Sequence, residues 1–527
     1  MRILLLSCLL LAAGNAAAAD TILHNGLVWT GNAEQASATA LAIEDGLITA
    51  VGDDASILAL AGADTQRIDL HGHRMVPGIN DAHVHLGAMP PSTELELPFP
   101  EPDAAQVLDA LRAQPRDGEG WITGQVGGQA FADPRLDIER LDAVQPDRPV
   151  MLASWTGHGT IVNSAARRAL ALDLDAPVAG GWYGANEAGE FDGRLYEYAQ
   201  WRLQARQPLL PDETVIAALR GYADRVLRYG TTSLQAMSMR PPGRFLPLWQ
   251  RSAAPQRLRL ILLPQPATLG EPIPGIDLPR EDADRPRVTV SGTKWILDGT
   301  PIERGAAVRS PYAGTQAKGR LNFSREDIEA LLREIIGRDD QPLLHVAGDA
   351  TAEAVLDAMA AIAPPEDWRP RRLRFEHGDG LHADLQARAR DYGVVVVQNP
   401  SHFTVASPFM AKSLLSGLLD AGIPLALGSD GPPNPWLNMM WAQQLPAAPA
   451  QALTREQVLR AYTAGSAYAE FAEDTKGMLA PGQVADLAVL SQDVLDEAVP
   501  VDALPATTSL LTVIGGEIAW RDPAFRP

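Results

Sequence analysis

Short apolar runs broken by turn residues open and close the chain, and a different rhythm fills the middle. From Asp20 to about Met75 the runs TILHNGLVWTG, TALAIEDGLITAVG and TQRIDLHGHRM read as β-hairpins. The C-terminal stretch from GMLAPGQVADLAVLSQD to SLLTVIGGEIAW has the same texture, with Gly515 and Gly516 as a two-residue turn. Two ends of like kind predict one small β-sandwich domain assembled from residues 20–75 and 475–527. Between them, over 76–474, nearly continuous apolar strands alternate with helical stretches, the pattern of parallel βα units buried on both faces. Candidate strands are MVPGINDAHVHL, GTTSLQAMS, RLRLILLPQ, VTVSGTKWILD, QPLLHVAG, RRLRFEHGD, GVVVVQNP and IPLALGSDGP. Eight of them predict an α/β fold built on a (β/α)8 TIM-like barrel. Ser324 is placed to cap SREDIEALLREIIG, and Thr454 with Gln457 forms a capping box ahead of VLRAYTAGSAYAEF. The stretch from Gly87 to Tyr229, about 140 residues, is far longer than a βα connection requires. It predicts an insertion after the first barrel strand, where active-site loops grow, and hence a cover over the site.

Composition narrows the picture. The chain has 527 residues, 46% of them hydrophobic and 21% charged, which supports a large core and excludes a disordered protein. A formal charge of −21 argues against nucleic acid as a partner. Residues 1–19 carry one cation at Arg2, an apolar run from Ile3 to Ala13 and small residues before Asp20. That run is about half of the roughly 20 residues a membrane span needs, so the segment predicts a cleaved signal peptide, a periplasmic or secreted protein and no span. The single cysteine, Cys8, lies within this segment, so disulfide and thiolate chemistry are not expected of the mature protein.

Candidate chemistry gathers at strand ends. In His83-Val84-His85, strand alternation puts both imidazoles on one face at metal-ligand spacing. His71-Gly72-His73 has the same spacing but falls in a turn ahead of the barrel and reads as surface. His345, His377 and Asp430 end three other candidate strands, and Lys294 sits within a fourth. In a parallel barrel such ends converge on one face, so four histidines, a carboxylate and a lysine are expected as one cluster. A lysine beside cations is costly to bury. Two resolutions are open: pairing with an acid such as Asp298 or Glu303, or addition of CO₂ to give an anionic carbamate.

These residues resemble the amidohydrolase superfamily of metal-dependent hydrolases, in particular its amidohydrolase family 3 branch. The matching pieces, PGINDAHVHL, GTKWILDGTP, LLHVAGDA, RFEHGDGL, LGSDGP and GMLAPGQVADLAVL, run in family order from Pro77 to Leu490. One position departs: Asn80 stands where the family has a hydrophobic residue before the aspartate of its first motif. The resemblance implies that His83 and His85 bind one metal ion and His345 and His377 a second, with Lys294 as a carboxylated bridge. It implies that Asp430 is both a ligand and the proton shuttle. The piece WTGHGTIVNSAA is also similar to the family's, and nominates His158 as a substrate-side catalytic residue and Asn163 as a structural one.

The function expected from this set is hydrolysis of a non-peptide C–N bond in an amide or cyclic amide by attack of hydroxide generated on one or two divalent ions. Imidazole-rich sites suit zinc, and manganese and iron are compatible with them. Two alternatives stand: a lactone or ester hydrolase using the same site, and a non-catalytic periplasmic solute-binding protein. The partner is a small-molecule substrate, and a homo-oligomer is compatible with the sequence. Trp155, Trp182, Tyr183, Tyr312, Trp436 and Trp441 are candidates for holding an apolar substrate group, and Arg240, Arg304 and Arg309 for an anionic one.

Overall fold

Eight parallel strands, each hydrogen-bonded to the next in chain order, form the centre of the computed structural model: β1 (Ile79–Val84), β2 (Thr231–Ser238), β3 (Arg257–Leu262), β4 (Val288–Ile296), β5 (Pro342–Val346), β6 (Arg374–His377), β7 (Val395–Gln398) and β8 (Leu425–Leu427). The structure describes residues 18–87, 92–176, 178–206, 209–238, 242–265, 287–404, 415–446 and 448–526. Most of the predicted export segment and Arg240 lie outside these. The ring comes round through the turn after β8, where the Asp430 N–H donates to the His83 carbonyl (2.9 Å) and the Ser429 N–H to Asp81 Oδ1 (2.8 Å). The fold is therefore the expected (β/α)8 barrel, nearly closed.

The continuous apolar runs of the sequence are strands buried on both faces, as parallel strands under helices must be: Val395, Val396 and Val397 of β7 are all fully buried. The helix Arg325–Gly337 begins at Ser324 with a capping box closed by Asp327, and the one at Arg455 begins with the Thr454–Gln457 box. The second helix is not regular throughout. It passes into a π-helical turn over Ala461–Gly465, at a point where a Cβ on Gly465 would lie 2.3 Å from the Leu425 carbonyl. The irregular turn is thus packed directly against β8.

Both chain ends contribute to the small domain. A four-stranded sheet joins Ala19–His24, Ala40–Glu44, Leu47–Gly52 and Ala61–Asp69, and a six-stranded one pairs Arg74–Pro77 antiparallel with Leu487–Leu490. Leu41, Ile43 and Ile48 from the N-terminal part pack with Leu487, Val489 and Leu511 from the C-terminal part in one apolar core. The hairpin Ser509–Ile514/Glu517–Arg521 turns on Gly515 and Gly516, whose φ values of +59° and +81° suit the turn and favour glycine.

The insertion after β1 is more than a cover. It contains a six-stranded mixed sheet running from Ser92–Glu94 to Gly181–Ala185, with its own core around Val107, Leu111, Ile122, Leu141 and Val150. Among the described residues, no helix is long and apolar enough to cross a membrane.

Candidate metal centre

The residues singled out in the sequence come from five barrel strands and meet at one face. His83 is on β1 with His85 just beyond it, Lys294 is on β4, His345 on β5, His377 ends β6, and Asp430 follows β8. All stand at or past the C-terminal half of their strands, the face where barrel enzymes carry their chemistry. Asp430 is the hub. Its Oδ1 is 3.5 Å from His85 Nε2, and its Oδ2 is 3.6 Å from His83 Nε2 and 3.8 Å from His377 Nε2. Two groups of ligand atoms, His83–His85–Asp430 and His377–His402–Asp430, each lie within 4.8 Å of one another.

The donor set suits a divalent cation. Burial, followed by the charge of Lys294, holds the His83 imidazole below its ordinary pKa, leaving a neutral ring with a lone pair to give. His83 Nδ1 lies 2.7 Å from Glu376 Oε2, so the opposite nitrogen, Nε2, is the one turned to the cluster. A carboxylate behind a histidine is the usual way to fix the tautomer of a metal ligand. Burial opposes the charge on Asp430, but His83, His85, His402 and His377 outweigh it and hold the carboxyl well below its normal range.

The backbone is shaped for this cluster. His377 (φ +71°) and Asp430 (φ +36°) both adopt left-handed conformations that non-glycine residues avoid, a form of strain that concentrates at functional sites. The Asp430 peptide is held on two sides, by its N–H to the His83 carbonyl and by His402 Nε2 donating to its own carbonyl at 3.0 Å.

The amidohydrolase family model matches residues 66–519. The chain belongs to that family. Relatives align along nearly its whole length. Putative amidohydrolase YtcJ of Bacillus subtilis is 27% identical over 95% of this chain and 99% of its own. N-substituted formamide deformylase of Arthrobacter pascens is 24% identical over 90% of this chain and 94% of its own. The solved structure of an uncharacterized metal-dependent hydrolase from Pyrococcus furiosus superposes with a TM-score of 0.65 at 20% identity, over 90% of this chain and 100% of that one, and shares the fold.

Within this amidohydrolase, His345 stands apart from both ligand groups. Its ring is 4.7 Å from that of His377, but its Nε2 faces the Gly299 carbonyl at 3.5 Å and Asp298 Oδ1 at 3.7 Å. Lys294 Nζ lies 3.0 Å from His83 Nε2. Neither acid suggested as its partner serves it. Asp298 accepts from the N–H groups of Ala307, Ala347 and Gly348 and from the Thr351 hydroxyl, and Glu303 accepts from the hydroxyls of Ser154, Thr156 and Thr300. Burial lowers the Lys294 pKa, and the carboxylates that work against this are Glu376 and Asp430.

His158, from the insertion, reaches the site: its ring is 4.7 Å from that of His345, and its Nδ1 is 3.0 and 3.1 Å from the two Glu197 oxygens. Burial disfavours its proton, yet the Glu197 carboxylate prevails and its pKa is raised. Asn163 lies elsewhere, fully buried. It accepts from the Val150 and Ala166 N–H groups and donates to the Gln145 and Arg148 carbonyls. Of the aromatic candidates, Trp436 is fully buried in the core and Trp182 stacks on Tyr196 under Arg320. Arg309 is tied to Asp349 and Asp384.

Sequence reasoning missed Glu376, His402 and a buried polar chain below the cluster. Glu376 is bound by Arg374 at 2.7 and 3.2 Å. Arg374 donates on to Gln235 Oε1 (2.5 Å), Gln235 reaches Asn80 (3.4 Å), Asn80 donates to Glu470 (2.6 Å), and Glu470 pairs with Lys476 (2.8 Å). This chain accounts for the polar residue at position 80, which links Gln235 to Glu470. The signal for Glu376 was its place immediately before His377. That for His402 was the histidine four residues past β7 in QNPSHF.

Proposed function

We propose that the chain is a metal-dependent hydrolase of a non-peptide C–N bond in a small amide or cyclic amide. The observation that carries this reading is the Asp430 carboxylate held between imidazoles from both sides of the barrel mouth, at 3.5–3.8 Å from His83, His85 and His377. His83, His85 and Asp430 would hold one divalent ion, zinc being the metal that imidazoles and a carboxylate suit best. His377 with Asp430 would hold a second, with His345 turning from Gly299 toward it and Lys294, once carboxylated, between them. Such an ion supplies an acidified water and a Lewis acid for the substrate carbonyl.

The chain's own residues supply the rest. Asp430 takes the proton released by the attacking water and returns it to the departing amine, acting first as base and then as acid. Glu197 favours the doubly protonated His158 ring, whose Nδ1–H it accepts and whose Nε2–H is then the donor to the substrate oxygen as charge develops there. Glu376 keeps His83 oriented. The names of relatives support the bond class, since N-substituted formamide deformylase acts on such a bond and the two chains align nearly end to end. Residues 1–19 support export and a periplasmic location, tested by the N-terminal sequence of the mature protein.

The test is a parallel screen of amides, cyclic amides, lactones and esters with metal-loaded enzyme. Turnover of amides, lost in Asp430→Asn, is expected. Turnover of esters alone would move the function to the lactone or ester class, and no turnover with tight ligand binding would favour a solute-binding protein.

A further inference from the structure

A cavity of about 260 Å³ lies at the end of the barrel opposite the histidine cluster. It is bounded by the first residues of β3 and β4 and by the segment Glu470–Lys476 that leads toward the sandwich domain. Its charged lining is Arg257, Arg259, Arg287, Lys476 and Glu470. On a chain of net charge −21 this is a local concentration of cations.

Three of the four cations have carboxylate partners. Arg257 is held by Asp486 at 2.7 Å, Lys476 by Glu470 at 2.8 Å, and Arg287, on the exposed rim, by Glu517 at 3.3 Å. Arg259 has no carboxylate within ion-pair distance among the described residues, and Glu470, Asp340 and Glu376 act on it only from farther away. It is 3% exposed, and its guanidinium donates only to neutral oxygens: Ser291 Oγ at 3.0 Å, Gln341 Oε1 at 2.6 Å and the Ala469 carbonyl at 3.4 Å. Its nearby like charge, Arg374, is fully buried as well. Burial, with Arg374 beside it, pushes the Arg259 guanidinium down to about 10. A buried cation with no carboxylate in contact with it is disfavoured, and hydrolysis at the other mouth of the barrel does not call for one here.

We propose that this cavity binds a small oxyanion, a phosphate or short dicarboxylate, which gives Arg259 a counter-charge in direct contact. The volume holds several waters at about 30 Å³ each, and so accommodates an anion of this size. The three bonds above leave one N–H on each of Arg259 Nη1 and Nη2 for the anion, and Arg287 at the rim and Lys476 beside it supply further donors. The same Lys476 pairs with Glu470, the lower end of the polar chain that leads up to Glu376 and His83.

The experiment is isothermal titration of inorganic phosphate, and separately of malonate, into the metal-loaded full-length protein. Saturable binding is expected for at least one of them, weakened about tenfold or more in Arg259→Gln and several-fold in Arg287→Gln, as loss of a charged hydrogen bond implies. It is expected to be unaltered in His85→Ala, at the opposite end. Tighter phosphate assigns a tetrahedral anion and tighter malonate a dicarboxylate. No saturable binding by either anion overturns the proposal. So does binding that survives both arginine substitutions, or that His85→Ala abolishes, which places the anion at the metal centre. Should Arg259→Gln fail to fold, the rim variant Arg287→Gln decides.

Discussion

Replacing Glu376 by glutamine isolates the part of the site that no ligand search of the sequence would find. The Glu376 carboxylate is wholly buried and serves two cations or donors at once: His83 Nδ1 at 2.7 Å through Oε2, and Arg374 at 2.7 and 3.2 Å. An amide of the same shape keeps one acceptor and gains a donor, so no orientation satisfies both Arg374 and the His83 ring. Removing one member of a buried ion pair costs about 3–5 kcal/mol, and the retained acceptor puts Glu376→Gln near the lower end, about 3 kcal/mol. That is a large part of a total stability of about 5–15 kcal/mol. Loss of the carboxylate behind a metal-ligating histidine also weakens the ion by about 10–100-fold. Urea unfolding of the metal-free protein measures the first effect, and competition against a chelator measures the second. A variant with an unchanged unfolding midpoint and a metal affinity within twofold of the parent would refute the role assigned to Glu376.

Three further outcomes are expected. Asp430→Asn, assayed at saturating metal because the same carboxylate is a candidate ligand, should lower kcat by at least about 10²–10⁴ through loss of the proton shuttle; steady-state kinetics with the best amide, beside metal analysis of the variant, checks this. Asn163→Ala should destabilise the insertion by about 3–5 kcal/mol, since it strands four main-chain groups at once, and should increase protease cleavage between Gly87 and Tyr229. Burial raises the Asp493 carboxyl, but the two-pronged bond from Arg74 outweighs it and holds it below its ordinary 3.8. Its stabilising contribution is therefore full above that value and lost as pH falls through the lower native pKa, so Arg74→Met should flatten this part of the acid limb of stability against pH.

The barrel was legible because most of its strands, such as Arg257–Leu262, Pro342–Val346 and Val395–Gln398, are short runs buried on both faces. The sandwich was legible from its turns, above all Gly515-Gly516. The site's first layer followed from position alone: His83, His377 and Asp430 end strands, and parallel strands bring their ends together. What lay beyond reach depended on side-chain direction and on partners distant in the chain. Glu376 and His377 are neighbours on one strand, yet only the folded barrel shows that Glu376 meets His83, nearly 300 residues away. The insertion's sheet was hidden because its strands are short and interrupted by glycines, such as Gly193 within Phe191–Glu197, whose φ is +96°. The reason for Asn80 at a position where the family has a hydrophobic residue lies in Gln235 and Glu470, which are distant in the chain and flank it in the fold.

The most direct test of the account is the divalent metal content of the purified protein, measured by elemental analysis beside His83→Ala/His85→Ala and Lys294→Ala variants shown by circular dichroism to be folded. The account predicts one to two equivalents of a divalent ion per chain, zinc foremost, with a marked fall in the double histidine variant and loss of about one equivalent without Lys294. A parent protein that holds no ion after growth with zinc or manganese, or a content that is indifferent to the two histidines, would contradict it.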